Sequence, residues 1–332
     1  MRRARTVDSD RRPSGTAARE IVEFALRAPS VHNTQPWRWR IGDGRLDLYA
    51  DRDRQLSVAD PLGRNLAISC GAALEYAVVG AAAAQWQSVV DLLPDPDDPD
   101  HLAVLRLSPG PVNRRALADA SLLSARRTDR RRLIPWPVPH GLLEAVAGRA
   151  SVGIASTVIL AALPDRLGVE LLVSRALATE RADRLLVEEQ SRWVAAGRPD
   201  GVPPENARPS DGDLRPGSPS RYDAPPLDDE SQLVTAPLDG LLVILSEDDS
   251  PHGWIDAGRT LCRAWVAALD HDLSVVPLSQ VIEVAETRAA LRADVLDVDP
   301  WPQLLLRVGW QELARSPLPS TPRRGVEDVL MA

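Results

Sequence analysis

A chain of 332 residues, 44% of them apolar and 26% charged, can bury the core of one large domain or of two ordinary ones. Its net charge of −8 speaks against nucleic acid or an anionic membrane as the main partner, and no apolar run approaches the roughly 18 residues that span a bilayer. Lysine is absent, so any anion site has to be built from arginine guanidinium forks.

The opening MRRARTVDSDRRPSG is basic but no apolar stretch follows it, so residues 1–15 read as a disordered tail and not as a secretory signal. Thr16 can cap a helix running through Leu26, with Ile21, Phe24 and Ala25 on its buried side, and Ala28-Pro29 ends it. Ser30, His32, Asn33, Thr34 and Gln35 then crowd against Pro36, Trp37 and Trp39. A solvated loop does not need two tryptophans, and a buried one must find partners for every amide and hydroxyl it carries. The alternating runs WRWRI and RLDLYAD, joined by Gly42-Asp43-Gly44, predict a β-hairpin. Residues 64–84 are alanine-rich and read as a buried helix, and SVVDLL and HLAVLRL read as strands around a Pro/Asp loop at 94–100. This first half spans 16–111.

The second half, 112–332, opens with a helix over 113–125 and the run SARRTDRRRL. An extended Pro/Trp segment, a helix from Gly141, the strand STVILAAL and a long amphipathic helical stretch over 165–195 come next. Residues 196–233 lose periodicity and fill with Pro, Gly, Asp and Asn, which marks either disorder or a functional lid. The chain continues with the strand GLLVILS, a helix over 253–270, the strand SVVPL, another helix and the strand QLLLRVGW. Cys70 and Cys262 sit far apart in apolar helical patterns, without metal spacing, and read as buried free thiols of a reducing cytoplasm.

An internal echo sets AAAAQWQSVVDLL (81–93) beside VAALDHDLSVVPL (266–278), each after a cysteine-bearing alanine-rich helix and before a further strand. The order of elements predicts an α+β fold of two similar halves, each a helix-flanked sheet.

Two arginine clusters stand out. Arg126, Arg127, Thr128, Asp129 and Arg130 form one, and Ser320, Thr321, Arg323 and Arg324 the other. Paired guanidiniums with neighbouring hydroxyls suit a phosphate monoester, although an arginine run also suits a solvated helix C-terminus. Ser30, Asn33 and the loop amides could meet a flat polar heteroaromatic edge, with Trp37 and Trp39 anchoring the loop; an Asx/ST-turn network explains Asn33 and Thr34 equally well. His32 has no carboxylate at a telling spacing and reads as a loop or core histidine.

P-S-x-x-N-x-Q-P-W at 29–37 resembles the flavin-loop signature of the FMN-dependent nitroreductase family. Arg126-Arg127-Thr128-Asp129-Arg130 is similar to its R-R-S-x-R phosphate motif, and LLLRVGW…TPRRGVEDVL to its C-terminal ending. Order and length resemble the Acg-type subfamily of NAD(P)H nitroreductases. The resemblance implies FMN, with its phosphate held by Arg126, Arg127, Thr128, Arg130, Arg323 and Arg324. Pro29, Ser30, Val31 and Asn33 would line the ring, with Ser279 and Gln280 beside flavin N5. Ordinary members are homodimers with a site at each interface. Here the flavin loop occurs once, in the first half, the phosphate arginines once, in the second, and the first half offers only Arg19 where a full motif belongs. The expectation is therefore a fused pseudo-dimer with one FMN per chain, acting as a monomer.

The function implied is ping-pong transfer from NAD(P)H through FMN to a nitroaromatic or quinone, with no acid–base dyad and no metal. The alternatives are an FMN-sequestering protein closed by the 196–233 lid, and a ligand-free helical interaction module.

Overall fold

The computed structural model describes residues 12–130, 133–194, 200–203, 239–311 and 320–331. Most of the expected tail and of the 196–233 segment lies outside these residues, as do Arg131 and Arg132.

Helix α1 (Gly15–Ala25) starts two residues ahead of the predicted position, because the cap is Ser14 and not Thr16, its hydroxyl accepting the amide of Ala17. The hairpin forms as predicted from β1 (Trp37–Gly42) and β2 (Arg45–Ala50), and Gly44 supplies the positive φ of 71° at its turn. β1 buries Trp37 and Trp39 and exposes Arg38 and Arg40, which is why tryptophans alternate with arginines there. Helix α2 (Arg64–Ala83), β3 (Trp86–Leu92) and β4 (His101–Pro109) complete an antiparallel sheet in the order β1-β2-β4-β3.

After α3 (Arg114–Ala125) and α4 (His140–Ala150), β5 (Ala155–Ile159) begins a second sheet. The predicted helical stretch over 165–195 is two helices. Asp183 ends α5 (Leu163–Ala182) and caps α6 (Arg184–Trp193) by accepting the amides of Leu185 and Leu186. β6 (Gly240–Ser246), α7 (Pro251–Leu269), β7 (Leu273–Leu278), the short helices α8 (Gln280–Glu283) and α9 (Ala285–Ala290), and β8 (Trp301–Trp310) follow. The strand order is β5-β6-β8-β7, again antiparallel, so the two halves share one topology.

Contrary to the reading of the sequence, helix α2 is long and apolar enough to cross a bilayer by length and composition, yet 72% of its most apolar window is buried inside the protein. Its main neighbour is α7. At their crossing a Cβ on Gly71 would strike the carbonyl of Ile255, and a Cβ on Gly258 would strike the carbonyl of Ile68. Each helix thus gives a glycine to the other's isoleucine, the reciprocity of a two-fold contact. A second reciprocal pair lies beside it: Val31 N donates to Ser69 Oγ at 3.1 Å, and Ile154 N donates to Asp256 Oδ2 at 3.1 Å.

One large apolar core joins both sheets to α1, α2, α4 and α7, and a smaller one lies between the second sheet and α5. Cys70 and Cys262 are buried free thiols, pushed up by that burial. The segment after β8 returns to the first sheet, where α10 (Val326–Val329) precedes a bridge between Leu330 and Trp39, and Met331 N donates to Trp39 O at 2.7 Å.

Candidate functional site

The site starts with the backbone of the 29–36 loop. His32, Asn33 and Gln35 take positive φ angles of 45°, 55° and 51°. Each such non-glycine residue costs about 1–3 kcal/mol, so the surroundings must hold the loop in place. Ser30 Oγ accepts the Gln35 amide at 2.9 Å. Asn33 Nδ2 donates to Gly201 O at 2.8 Å and to Pro322 O at 2.9 Å, while Arg323 donates to Asn33 Oδ1 at 3.0 Å. The Arg324 amide donates to Gln35 Oε1 at 2.9 Å and its guanidinium to Gln35 O at 3.0 Å. Arg54 donates to Thr34 O, pairs with Asp200 and sits 5.4 Å from the Trp193 ring centroid. The polar run is thus mostly buried and mostly partnered, largely by segments far along the chain, although Thr34 Oγ1 and the ring nitrogens of Trp37 and Trp39 find no hydrogen-bond partner among the described residues.

Beside the loop lies an open cleft in two connected chambers. The first, about 930 Å³ with its open solvent, is bounded by Pro29, Ser30, Val31, Trp265, Ser279 and Gln280. β7 delivers Ser279 and Gln280, and α7 supplies Trp265 as a wall. The second, about 910 Å³ on the same measure, is lined by Arg27, Arg126, Arg127, Arg130 and Arg323, together with Thr128, Ser320 and Thr321. Pro29, Ser30, Thr128 and Arg130 border both. Among the described residues no carboxylate lines either chamber.

The arginine chamber is built to stay in place. Arg126 Nε donates to the Tyr76 hydroxyl at 2.8 Å, its NH1 to Thr128 Oγ1 at 3.1 Å, and its guanidinium carbon lies 4.5 Å from the Trp265 ring centroid. Arg127 reaches Ser320 Oγ at 2.8 Å. Burial, with Arg126 and Arg127 close by, pushes the Arg323 guanidinium down to about 10. Converging like charges in a buried place are costly unless an anion joins them.

Of the residues expected to hold the cofactor, all but Arg324 line one chamber or both. Arg324 turns away to Gln35 O, Trp37 O, Asp51 and Asp328 O. The two adjacent arginines thus go to different partners, which the pair RR does not reveal. His32, read as a loop or core residue, is buried and also lines the ring-side chamber. Sequence reasoning missed Arg27, Asn65, Ser69, Trp265 and Arg307. Only Arg307 left a signal, a charge inside the apolar run QLLLRVGW.

No protein-family model matches the chain. A Mycobacterium tuberculosis protein named "Putative NAD(P)H nitroreductase Rv3131" is 37% identical over 324 residues, 96% of this chain and 92% of that protein. Another from the same organism, "Putative NAD(P)H nitroreductase acg", is 30% identical over 328 residues, 94% of each chain. A solved structure described as a "putative nitroreductase" from Anabaena variabilis shares the fold at a TM-score of 0.50 and 11% identity, over 94% of this chain and 93% of that one.

Proposed function

The chain belongs to the nitroreductase family, in its Acg-type subfamily of NAD(P)H nitroreductases, and from that premise we propose that it is an FMN-dependent NAD(P)H oxidoreductase with one cofactor site per chain. The observation that carries this reading is the meeting of Arg126, Arg127, Arg130 and Arg323 in a chamber that no carboxylate lines among the described residues and that opens into a second chamber of ring size. A phosphate monoester brings close to two negative charges and three acceptor oxygens, which offsets the repulsion among these guanidiniums.

Arg126, Arg127, Thr128, Arg130 and Arg323 hold the ester. Pro29, Ser30 and Val31 form one side of the ring chamber and Ser279 and Gln280 another, with Asn33 at the phosphate side. Arg324 serves as the clamp of the flavin loop and not as an ester ligand. Bound there, FMN would supply the redox chemistry between NAD(P)H and a nitroaromatic or quinone acceptor. The chain's own residues orient the cofactor and set the local charge.

The shared strand order, the reciprocal glycines and the paired Val31–Ser69 and Ile154–Asp256 contacts support a fused pseudo-dimer that acts as a monomer. In the second half the place of Ser69 is taken by Asp256, ion-paired with Arg259 at 3.1 Å and packed where a Cβ on Gly153 would sit. A buried carboxylate there disfavours a second anionic cofactor.

A second reading, FMN sequestration with little turnover, draws on Gly201 and Val202. Gly201 is bonded to Asn33 and Val202 lines the arginine chamber, so the start of the 196–233 segment borders the cleft. A visible spectrum followed by anaerobic NADPH titration tests both. A yellow protein that bleaches within seconds is a reductase, one that stays yellow is a store, and a colourless protein that ignores added FMN refutes both readings.

A further inference from the structure

The hydroxyls that border the arginine chamber are of two kinds. Ser30 Oγ accepts the Gln35 amide, Ser124 Oγ donates to Ala120 O at 2.9 Å inside α3, Thr128 Oγ1 accepts from Arg126, and Thr321 Oγ1 accepts from Arg323. These four residues are half-buried. Ser320 differs. It is exposed, and it stands in chain that is neither helix nor strand, just ahead of Thr321-Pro322. Exposed, irregular backbone is what a modifying enzyme can draw into its own active site.

The Ser320 oxygen already has a guanidinium partner. Arg127 donates to it at 2.8 Å, and Arg27, Arg126, Arg130 and Arg323 line the same chamber, which no carboxylate lines among the described residues. A phosphoryl group on Ser320 would be bonded to the very oxygen that Arg127 holds. It would be a phosphate monoester with close to two negative charges at neutral pH, the same chemical class as the ester of FMN. Guanidinium forks read the charge and the terminal oxygens, and these are the same whether the remaining oxygen leads to a serine or to a ribityl chain.

On the reading of this cleft as an FMN site, we propose that Ser320 is a phosphorylation site and that its phosphate, turned into the arginine chamber, excludes that of the cofactor. The phosphoryl donor is a nucleoside triphosphate, brought by a serine/threonine protein kinase. The Ser320 oxygen forms a bond to the γ-phosphorus, the bond from that phosphorus to the bridging oxygen breaks, a nucleoside diphosphate leaves, and the hydroxyl proton passes to the base of the kinase. A tethered ester at an effective concentration on the order of 1 mM, in a chamber that holds a free one with a dissociation constant on the order of 0.1 mM, weakens FMN binding about tenfold. Cofactor loading and modification of Ser320 therefore oppose each other. Hydrolysis of the ester, which returns the hydroxyl and inorganic phosphate, reopens the chamber.

The test compares the full chain carrying phosphoserine at 320, placed there during synthesis, with the parent by fluorescence titration with FMN. The dissociation constant should rise about tenfold, and phosphatase treatment should restore the value of the parent. Inorganic phosphate should compete with FMN in the parent and much less in the modified chain. Equal FMN affinity in the two chains overturns the proposal and leaves the FMN reading intact. So does a weaker affinity with phosphate competition unchanged, because the tethered ester would then lie outside the chamber. Failure of the parent to bind FMN overturns the FMN reading itself. In parallel, folded apoprotein is incubated with ATP and an extract of the cells that make it, and the product is mapped by mass spectrometry. Phosphate on Ser320, lost in Ser320→Ala and reduced when FMN is bound, supports the proposal; an unlabelled Ser320 overturns it. If the chain with phosphoserine built in fails to fold, this enzymatically modified protein provides the FMN comparison.

Discussion

Arg324 and Asp51 meet as a buried ion pair at 3.0 Å, joining the last described segment to the end of the first hairpin. The same guanidinium holds the carbonyls of Gln35 and Trp37. Arg324→Ala should cost about 2–3 kcal/mol of stability, because among the described residues Asp51 keeps only Arg38, at 3.2 Å, as compensation. Urea unfolding measures this. FMN binding should weaken through the loosened loop; an unchanged midpoint in urea would show that the pair contributes nothing.

Arg126→Gln should act the other way round. It removes a donor from the arginine chamber and relieves part of the repulsion that lowers Arg323. FMN affinity should fall by roughly ten- to a hundredfold, the worth of one charged hydrogen bond, with little change in the stability of the apoprotein. Titration calorimetry reads the affinity, and unaltered binding would place the ester elsewhere.

Burial pushes the Asp60 carboxyl up to about 6, although the amides of Leu66 and Asn65 act against it. A carboxyl raised in the folded state stabilises most below its unfolded value, and that contribution is lost as pH rises through about 6. Asp60→Asn keeps an acceptor for the Leu66 amide and removes the titration. The variant should exceed the parent by about 1–3 kcal/mol at pH 8, and the gap should close by pH 4. Parallel denaturation curves across that range decide it.

Gly71→Ala and Gly258→Ala each drive a methyl into a backbone carbonyl that has no rotamer to escape into. Each should cost about 3 kcal/mol or more, despite the better helix propensity of alanine. Thermal melts that rise would remove the close crossing of α2 and α7.

The elements themselves were largely legible. Asp43-Gly44 announced a hairpin and the alanine-rich stretch a buried helix, because local periodicity and turn chemistry fix both. The break at Asp183 escaped notice, since amphipathic periodicity carries on across a capping residue. The site was legible in type but not in aim. Arg323 and Arg324 look alike in sequence, and only the path of the returning segment sends one to the cleft and the other to Asp51. Asn65 and Ser69 were hidden for a similar reason: polar residues in an alanine-rich helix reveal nothing about what the neighbouring loop will bring to them.

The bridge from Met331 to Trp39 fixes the order of events during synthesis. The flavin loop emerges from the ribosome early, but the carbonyls and guanidiniums that pin its unusual backbone arrive about three hundred residues later. Nascent chains therefore have no finished pocket until residues 322–324 have been made, and cofactor capture has to wait for that segment. Any supply of riboflavin phosphate has to serve a chain already made through that segment.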